Sequence, residues 1–369
     1  MKRLMLLAGE ESGLIYARAI AEKARAMYPG VEIRGYSDYG FETHDLAVMG
    51  FWAVLRRILF FLRVKRTMER AIAEWKPDAV CTVDYPGMNL KLAAFAKRHG
   101  IRAVHVVCPQ VWAWRAGRIP KIEASIDKLC CFFPFEPELF RPGFAAFVGH
   151  PLVADFEAEV RSMQDVRGGA ARKIALLPGS RMGEISRHLP TMLKAVDGIE
   201  ARLVVPAANE GAFEKIKSIV RASGRGDVQV RLGGAREALV SADCAVVASG
   251  TATLEAALAK CPTVLVYRVG PLLAWFARCV IKGVKHVGLA NIVWEKSRPE
   301  GAEDVAPPMP ELLQERFTAG NVRKYLDLWL GDEKIRSSVS RRLGETVARL
   351  RPNGDPTAEI VRHLTESLV

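Results

Sequence analysis

The sequence lacks the signatures of several large classes of protein. No uninterrupted apolar stretch approaches the roughly 18–20 residues of a transmembrane helix, so a membrane-spanning segment is not expected. The seven cysteines are scattered without a CxxC pair, which argues against a zinc ribbon or dithiol site and fits a reducing compartment. Walker and GxGxxG motifs are absent, as are fixed-period repeats and low-complexity tracts. What remains is an ordinary globular chain without a generic nucleotide fingerprint.

Acidic residues are also outnumbered by basic ones. There are 53 Lys and Arg residues against 41 Asp and Glu, giving a net charge of +12. A basic surplus favours an anionic partner, which is a nucleic acid, an anionic membrane surface or a phosphorylated substrate, and does not choose among them. The 369 residues, half of them hydrophobic, predict two domains with large cores. The short apolar run in MKRLMLLAGEESG is followed by acids, which predicts a buried first strand rather than a signal peptide.

The segment 50–66, GFWAVLRRILFFLRVKR, combines aromatic and aliphatic residues with five cations, and no acid lies between Asp45 and Glu69. On a helix at about 100° per residue, most apolar side chains fall on one side and the arginines on the other. This is the composition of a helix in a membrane interface, although a core-facing helix of a basic protein is an open alternative. Phe60 and Val64 interrupt the polar side and widen the apolar surface. The predicted membrane face comprises Phe51, Trp52, Leu55, Ile58, Leu59, Phe61 and Leu62.

Short apolar runs alternate with longer helical patterns along the chain, and this alternation restarts once. It predicts an α/β protein with two Rossmann-like parallel sheets, joined by a charged connection near 154–172, and C-terminal helices over 320–369. Since ligands bind beyond the carboxyl ends of parallel strands, we expect the site in a cleft between the two domains. The expected domains are 1–165, 166–345 and a C-terminal helix, 346–369, that packs back on the first. The predicted strands are 4–9, 78–84, 102–108, 128–134, 173–179, 202–206, 228–233, 244–250 and 263–269.

Two loops in the second half are suited to phosphate. In ALLPGSRMGEI (175–185), Gly179 permits a tight turn, Ser180 can cap or donate, and Arg181 offers a bidentate fork at a helix N-terminus. A Pro-Gly turn with a surface arginine would look the same. In VVASGTATLEAAL (246–258), a strand again runs into a helix, and its Glu255 is either a ribose ligand or an ordinary first-turn acid.

Strand ends of the first half carry carboxylates and aromatic residues. Glu10 and Asp84 each follow a predicted strand, and a carboxylate facing a cleft is a general-base candidate. The loop after a third strand, VVCPQVWAWRAGR (106–118), carries Trp114 and Arg115, and His150 precedes a proline in FVGHPL. Taken singly, each of these residues is more typical of a cap, a turn or an ion pair, and the two tryptophans are more typical of a core.

The motifs in this order closely resemble the lipid-A-disaccharide synthase family, inverting glycosyltransferases of the GT-B fold. The resemblance covers about residues 3–330. It rests on AGEESG, LAVMGF, TVDYPGMNL, VWAWRAGRIPKI, PFE, VGHPL, LLPGSRMGEI, ASGTATLE, VYR and PELLQE.

The resemblance implies a metal-independent hexosyltransferase without a cofactor. It would join UDP-2,3-diacylglucosamine to 2,3-diacylglucosamine 1-phosphate and release UDP, at the cytoplasmic face of the inner membrane. It implies an anionic membrane surface as partner and a possible homo-oligomer, whereas no nucleic-acid recognition motif appears. Asp84, as base, and Glu10 would be catalytic. Gly179, Ser180, Arg181, Glu184, Ser249, Gly250, Thr251, Glu255, Asn291 and Gln314 would bind the UDP-sugar, and Asn89, Trp114, Arg115 and His150 would lie on the acceptor side.

The chain departs from the family pattern in three places on the acceptor side. Leu14 stands where the family has Asp, Gly87 and Met88 replace the second Asp and the Phe of DAPDFN, and the segment 36–45 is shorter. Two other readings therefore stay open. One is a divergent UDP-sugar transferase or epimerase-like enzyme, and the other is a membrane-surface UDP-sugar-binding protein that has lost catalysis.

Overall fold

The computed structural model describes residues 1–42, 46, 58–161, 171–270, 285–298, 305–352 and 354–366. The chain divides into two compact units. The first comprises Met1–Pro151 together with Pro352–Val369, and the second comprises Leu152–Arg351. Each unit is built on one parallel sheet.

The sheet of the first unit has six strands in the order β2-β1-β3-β4-β5-β6. Residues 4–8 of β1 and all of β3 are buried, as expected for strands covered by helices on both faces. The strands are β1 Arg3–Ala8, β2 Glu32–Arg34, β3 Ala79–Val83, β4 Arg102–Val106, β5 Lys128–Cys131 and β6 Ala145–Phe147. The helices are α1 Glu11–Met27, α2 Ile58–Trp75, α3 Pro86–Arg98, α4 Ile119–Ser125 and, from the end of the chain, α13 Pro356–Thr365.

The C-terminal helix α13 packs in the first unit, against α1 and the face of β3 and β4. Its Ile360, Val361 and Leu364 are almost completely buried in the same apolar cluster as α1 and β1. At the helix start, Asp355 accepts N–H groups of the first turn and pairs with Lys23 of α1. Apolar burial and a capped N-terminus thus fix this helix to the first sheet.

The sheet of the second unit has six parallel strands in the order β12-β11-β10-β7-β8-β9. Its strands are β7 Lys173–Leu177, β8 Arg202–Ala207, β9 Val228–Leu232, β10 Cys244–Ala248, β11 Thr263–Tyr267 and β12 Glu311–Leu313. Its helices are α5 Pro151–Arg161, α6 Met182–Ala195, α7 Glu210–Ala222, α8 Ala235–Ser241, α9 Thr251–Leu258, α10 Leu289–Lys296, α11 Ala319–Gly331 and α12 Glu333–Ala348.

All nine strands predicted from the sequence are present, whereas three were missed. The missed strands β2, β6 and β12 have three residues each and lie at sheet edges. An edge strand is paired and covered on fewer sides, so it needs no apolar run, and the pattern that marks a buried strand is absent from its sequence.

Helix α2 corrects one detail of the sequence analysis. Val64 was placed on the polar side of the helix, but it is fully buried and continues a core stripe with Met68, Ala71, Ile72 and Trp75. Phe60 and Phe61 are partly buried against the same cluster. The helix therefore presents one apolar side to the sheet. Three residues of the predicted membrane face, Phe51, Trp52 and Leu55, lie outside the described residues.

Within the described ranges, no helix has the length and apolar character that crossing a bilayer requires.

Candidate active site

Each sheet has one point at which the strand order reverses, and the candidate residues lie there. In the first sheet the chain moves outward from β1 to β2 and then returns to β3 on the other side, so the switch lies between β1 and β3. In the second sheet it lies between β7 and β10. Open α/β sheets bind ligands beyond the carboxyl ends of the strands at this point. Glu10 and Asp84 follow β1 and β3, and the two phosphate-compatible loops follow β7 and β10.

A pocket of about 540 Å³ opens at the switch point of the second sheet. Its walls are the loops after β7, β8, β9 and β10 and the starts of α6, α8 and α9. Three helices thus begin at its edge, and free N–H groups at helix starts favour an anion. Eight of the predicted UDP-sugar residues line it: Gly179, Ser180, Arg181, Glu184, Ser249, Gly250, Thr251 and Glu255.

The loop after β7 is shaped by Gly179 and Glu184. Gly179 has φ +109°, and a Cβ there would lie 2.5 Å from Glu184 Oε2, so the position requires glycine. The Glu184 carboxylate accepts the Arg181 guanidinium at 3.1 Å and the Arg181 N–H at 3.4 Å, closing the first turn of α6. The Arg181 side chain is 69% exposed. Its guanidinium is thus tethered at the mouth of the pocket and is free to turn to a ligand.

Sequence reasoning missed the residue that holds the back of this loop, the fully buried His188 of α6. Its Nδ1 lies 2.9 Å from the Pro178 carbonyl, and its Nε2 accepts the Arg268 N–H at 3.1 Å. With a proton on Nδ1, one ring joins the ends of β7 and β11. A lone histidine inside an amphipathic helix carries no signal of this role.

The loop after β10 carries the other half of the pocket. Gly250 has φ +154°, and α9 starts directly at Thr251. One turn later, the Glu255 carboxylate accepts the Arg236 guanidinium at 2.9 Å, and Arg236 also pairs with Glu159 at 2.5 Å. Arg236 and the two left-handed glycines before it, in GGAR, also line the pocket. The sequence analysis overlooked this motif, whose paired glycines were its visible signal.

Two of the ten predicted UDP-sugar residues do not line the pocket. Asn291 is fully buried, and its side chain exchanges hydrogen bonds with the main chain of Met309 while donating to Glu311 at 2.8 Å. Gln314 follows β12 with φ +50°, and its carbonyl accepts the Arg268 guanidinium at 3.2 Å. Both residues fix the segments around β12 in the described structure.

In the first unit, Glu10 and Asp84 form a pair of interacting carboxyl groups. Burial raises the pKa of Glu10, and the charge of Asp84 raises it further. Burial also raises the pKa of Asp84, against the opposing effect of the Tyr85 N–H, which donates to Asp84 Oδ1 at 2.8 Å. Two desolvated carboxyl groups at one switch point are suited to general acid–base chemistry.

The Asp84 backbone is held in an unusual conformation. Asp84 and Tyr85 have φ +49° and +51°, both in the left-handed region. Asn89 is fully buried, and its amide donates to the carbonyls of Asp84 at 2.8 Å and Val83 at 3.0 Å, while Tyr36 donates to its Oδ1 at 2.7 Å. Asn89, predicted on the acceptor side, is therefore a positioning residue whose side chain faces the interior.

The remaining acceptor-side candidates differ in exposure. Trp114 is 37% exposed, and the guanidinium of Arg115 lies 4.5 Å from its ring centroid. His150 is buried between Phe132 and Phe133, and burial lowers its pKa to about 4. It is therefore uncharged near neutral pH and contributes no cation to the site.

Glu136 connects two motifs of the first half, PFE and WAWR, in space. It is the last residue of the PFE motif, and its carboxyl accepts the indole N–H of Trp112, in the WAWR loop, at 3.1 Å. Burial raises the pKa of Glu136 to about 8. The sequence analysis did not predict that Cys108 and Cys131 lie close together. Their sulfurs lie within 4.8 Å of each other and of this carboxyl. This buried cluster fixes the WAWR loop to the end of β5.

Comparison with known proteins shows the family to which the chain is similar over most of its length. A profile of the lipid-A-disaccharide synthetase family matches residues 4–338. Among relatives, the lipid-A-disaccharide synthase of Syntrophus aciditrophicus is 34% identical over 99% of this chain and 97% of its own length. That of Myxococcus xanthus is 34% identical over 95% of both chains.

Solved structures with the same fold have much lower sequence identity. MurG of Acinetobacter baumannii superposes with a TM-score of 0.59 at 14% identity, over 99% of this chain and all of its own. CalG4, the calicheamicin glycosyltransferase, gives 0.61 at 15%, over the whole of both chains. These likenesses establish the GT-B fold. With its family profile, its full-length relatives and its phosphate-compatible pocket, the chain belongs to the lipid-A-disaccharide synthetase family.

Proposed function

We propose that this chain is a hexosyltransferase that transfers diacylglucosamine from UDP to diacylglucosamine 1-phosphate, giving the lipid A disaccharide 1-phosphate and UDP. The observation that carries the proposal is the pocket at the switch point of the second sheet. Eight residues of two family motifs converge there around three helix starts. Family membership over nearly the whole chain supplies the class of reaction.

On the donor side, the pocket residues have distinct roles. The diphosphate binds the N–H groups at the start of α6 and the Ser249–Thr251 loop, and Glu255 accepts ribose hydroxyls. Arg181 leaves Glu184 and forms a bidentate contact with the diphosphate, whose charge grows as the glycosidic bond breaks. Since the guanidinium and the helix N-termini stabilise the departing UDP, the proposal requires no metal ion.

On the acceptor side, Asp84 takes the proton of the attacking 6-hydroxyl. A base at this position must be ionised when the acceptor binds and must hold the proton once it is transferred, and a raised pKa favours the second step. Attack opposite the leaving UDP would invert the anomeric centre. Burial and the charge of Asp84 raise the pKa of Glu10, the second carboxyl group of this pair.

Two of the three departures from the family pattern, at Leu14 and Gly87, can be located relative to this machinery. Leu14 is partly buried and packs against the core of the first sheet, so it replaces a polar group by an apolar contact. Gly87 is exposed at the start of α3, and in the part of the chain that the structure describes no other group lies within 4 Å of where its Cβ would be. Neither substitution changes a hydrogen bond described above for Asp84 or Glu10.

The test of the proposed function is turnover of the acylated pair. We expect release of UDP only when both UDP-diacylglucosamine and diacylglucosamine 1-phosphate are present. A coupled assay measures the UDP, and mass spectrometry identifies the disaccharide. Release from non-acylated UDP-GlcNAc would favour the divergent transferase or epimerase reading instead. Tight UDP binding without turnover of any acylated donor would identify a binding protein that has lost catalysis.

We further propose that the exposed side of α2 docks on an anionic membrane surface. Ile58, Leu59 and Leu62 are 49%, 78% and 43% exposed, although they are large and apolar. Beside them, Arg63, Arg66 and Arg70 are exposed and line one shallow depression together with Leu59 and Leu62. Binding to anionic lipid has two components, which are the insertion of apolar side chains into the interface and the attraction of neighbouring cations to the lipid head groups.

Changing Leu59 and Leu62 together to Ser is expected to weaken binding to vesicles rich in phosphatidylglycerol by about tenfold. The double variant lacks the two leucine side chains that would insert into the lipid interface. Co-sedimentation with vesicles measures this. Ile15→Ser is the matched control, since Ile15 is 60% exposed on α1 of the same unit. If both proteins sediment like the unchanged chain, α2 is only a core helix.

A further inference from the structure

A second pocket, of about 320 Å³, lies wholly within the first unit. It is bounded by α2, α3 and α4, and Arg118 just before α4 completes its wall. Its lining divides into an apolar part and a charged part. The apolar part consists of Pro86, Leu90, Ala94 and Ile122, of which Leu90 and Ile122 are buried in a core cluster.

The charged part of this pocket is strongly basic. Five cations line it, from three helices and one loop: Lys65, Lys91, Arg98, Arg118 and Lys121. Among the described lining residues Glu69 has the only carboxylate, and it pairs with Lys65 at 2.6 Å. Over the described ranges, the side chains of the other four cations form no ion pair with an acid. Four cations that have no acidic partner among the described residues repel one another around a concave surface, and an anion relieves that repulsion.

The pocket lies next to the proposed base along the chain. Pro86 and Gly87 line it at the start of α3, two and three residues after Asp84. Among the described residues, no other group lies within 4 Å of where a Cβ of Gly87 would be. Within the described residues, a ligand seated between α2 and α3 therefore meets no side chain at Gly87 on the side towards the turn that carries Asp84.

We propose that this pocket binds the phosphate of the acceptor. The inference rests on the proposed function and adds the site that selects the phosphorylated sugar. In glucosamine 1-phosphate the attacking 6-hydroxyl and the phosphate are separated by one sugar ring. A phosphate among the four cations thus leaves the hydroxyl near the start of α3, and the apolar floor of Leu90, Ala94 and Ile122 takes part of the acylated sugar. Phosphate groups of membrane lipids share this chemistry, and the experiment separates the two sources.

The test compares two acceptors in detergent micelles, diacylglucosamine 1-phosphate and the same compound without phosphate. We expect the unchanged protein to prefer the phosphorylated acceptor in kcat/KM by at least about 30-fold, as several charge-assisted contacts allow. In Lys91→Gln/Lys121→Gln this preference is expected to fall about tenfold, through KM for the phosphorylated acceptor, with the dephosphorylated acceptor unaffected. Glu69→Gln, which frees Lys65, is expected to act in the opposite direction.

Arg18→Gln is the matched control, since it removes an exposed cation from α1 of the same unit, away from the pocket. Equal use of both acceptors by the unchanged protein, or an unchanged preference in the double variant, would overturn the proposal. So would a double variant that loses vesicle binding while keeping its acceptor preference, because the pocket would then bind lipid head groups. Absence of any turnover by the unchanged protein would instead contradict the proposed function itself.

Discussion

Replacing Asp84 by Asn is expected to lower kcat for disaccharide formation by about 10²–10⁴-fold, the range that a general base contributes. The substitution removes the proton acceptor and little else. Asn adopts left-handed φ angles as readily as Asp, so the backbone at φ +49° is retained, as is the cap on the Tyr85 N–H. Steady-state UDP release with saturating acylated substrates measures the loss. UDP affinity, which depends on the pocket of the second unit, should not change.

The pH profile of the unchanged protein adds a second readout for the same residue. Since the base must be ionised, kcat/KM rises with pH through the pKa of Asp84 and levels off above it. Burial raises that pKa, so the acid limb should lie above the value of about 3.9 of an ordinary aspartate. Glu10→Gln should leave the limb in place, because burial rather than the Glu10 charge raises the pKa of Asp84. Glu22→Gln, an exposed acid on α1, is the control for a general effect of removing a carboxylate from this unit. Full activity in Asp84→Asn would exclude Asp84 as the base.

The sequence predicted the buried parts of the fold better than the edges. Strands such as Ala79–Val83 and Cys244–Ala248 are covered on both faces, so every residue in them is apolar or small and the pattern is unmistakable. A three-residue edge strand such as Glu311–Leu313 is defined by its partner β11 rather than by its own residues. Its pairing is a tertiary fact, and no local pattern specifies it.

The candidate site was predictable where a loop acts on its own backbone. Gly179 and Gly250 have positive φ angles in strand–loop–helix elements, and the glycine in each motif indicates this local requirement. The pairing of Arg236 with Glu255, 19 residues away, depends on how two helices meet, as does the junction made by His188. Asn291 shows the opposite case. The sequence motif predicted a residue near the nucleotide, but the buried Asn291 side chain forms hydrogen bonds to Met309 and Glu311 at β12.

Helix α2 illustrates why amphipathic patterns are ambiguous. The helical wheel locates an apolar side but does not say which apolar residues the sheet covers. In the structure, Val64 and Met68 turn inward, while Leu59 and Leu62 remain exposed beside Arg63. The core-packing interpretation is therefore confirmed for one side of the helix, and the proposed membrane docking concerns the other side.

Replacing Arg181 by Gln is expected to lower kcat/KM for the acylated donor by about 10²–10³-fold, comparable to removal of one preorganised donor to a developing anion. The bidentate fork is lost, and Gln supplies no charge to the departing diphosphate. Arg181→Lys keeps the charge without the fork and should fall between Gln and the unchanged protein. UDP binding by calorimetry and steady-state kinetics together measure how much of the loss precedes the chemical step.

Folding provides the control for this variant. The Arg181 side chain is 69% exposed, and Glu184 still accepts the residue 181 N–H in the variant, so the substitution should change the free energy of unfolding by no more than about 1 kcal/mol. Arg187→Gln on the same helix removes an exposed cation that does not line the pocket, and turnover should be unchanged. A donor kcat/KM in Arg181→Gln equal to that of Arg187→Gln would mean that the diphosphate is not bound at the start of α6. The switch point of the second sheet would then have to bind some other part of the donor.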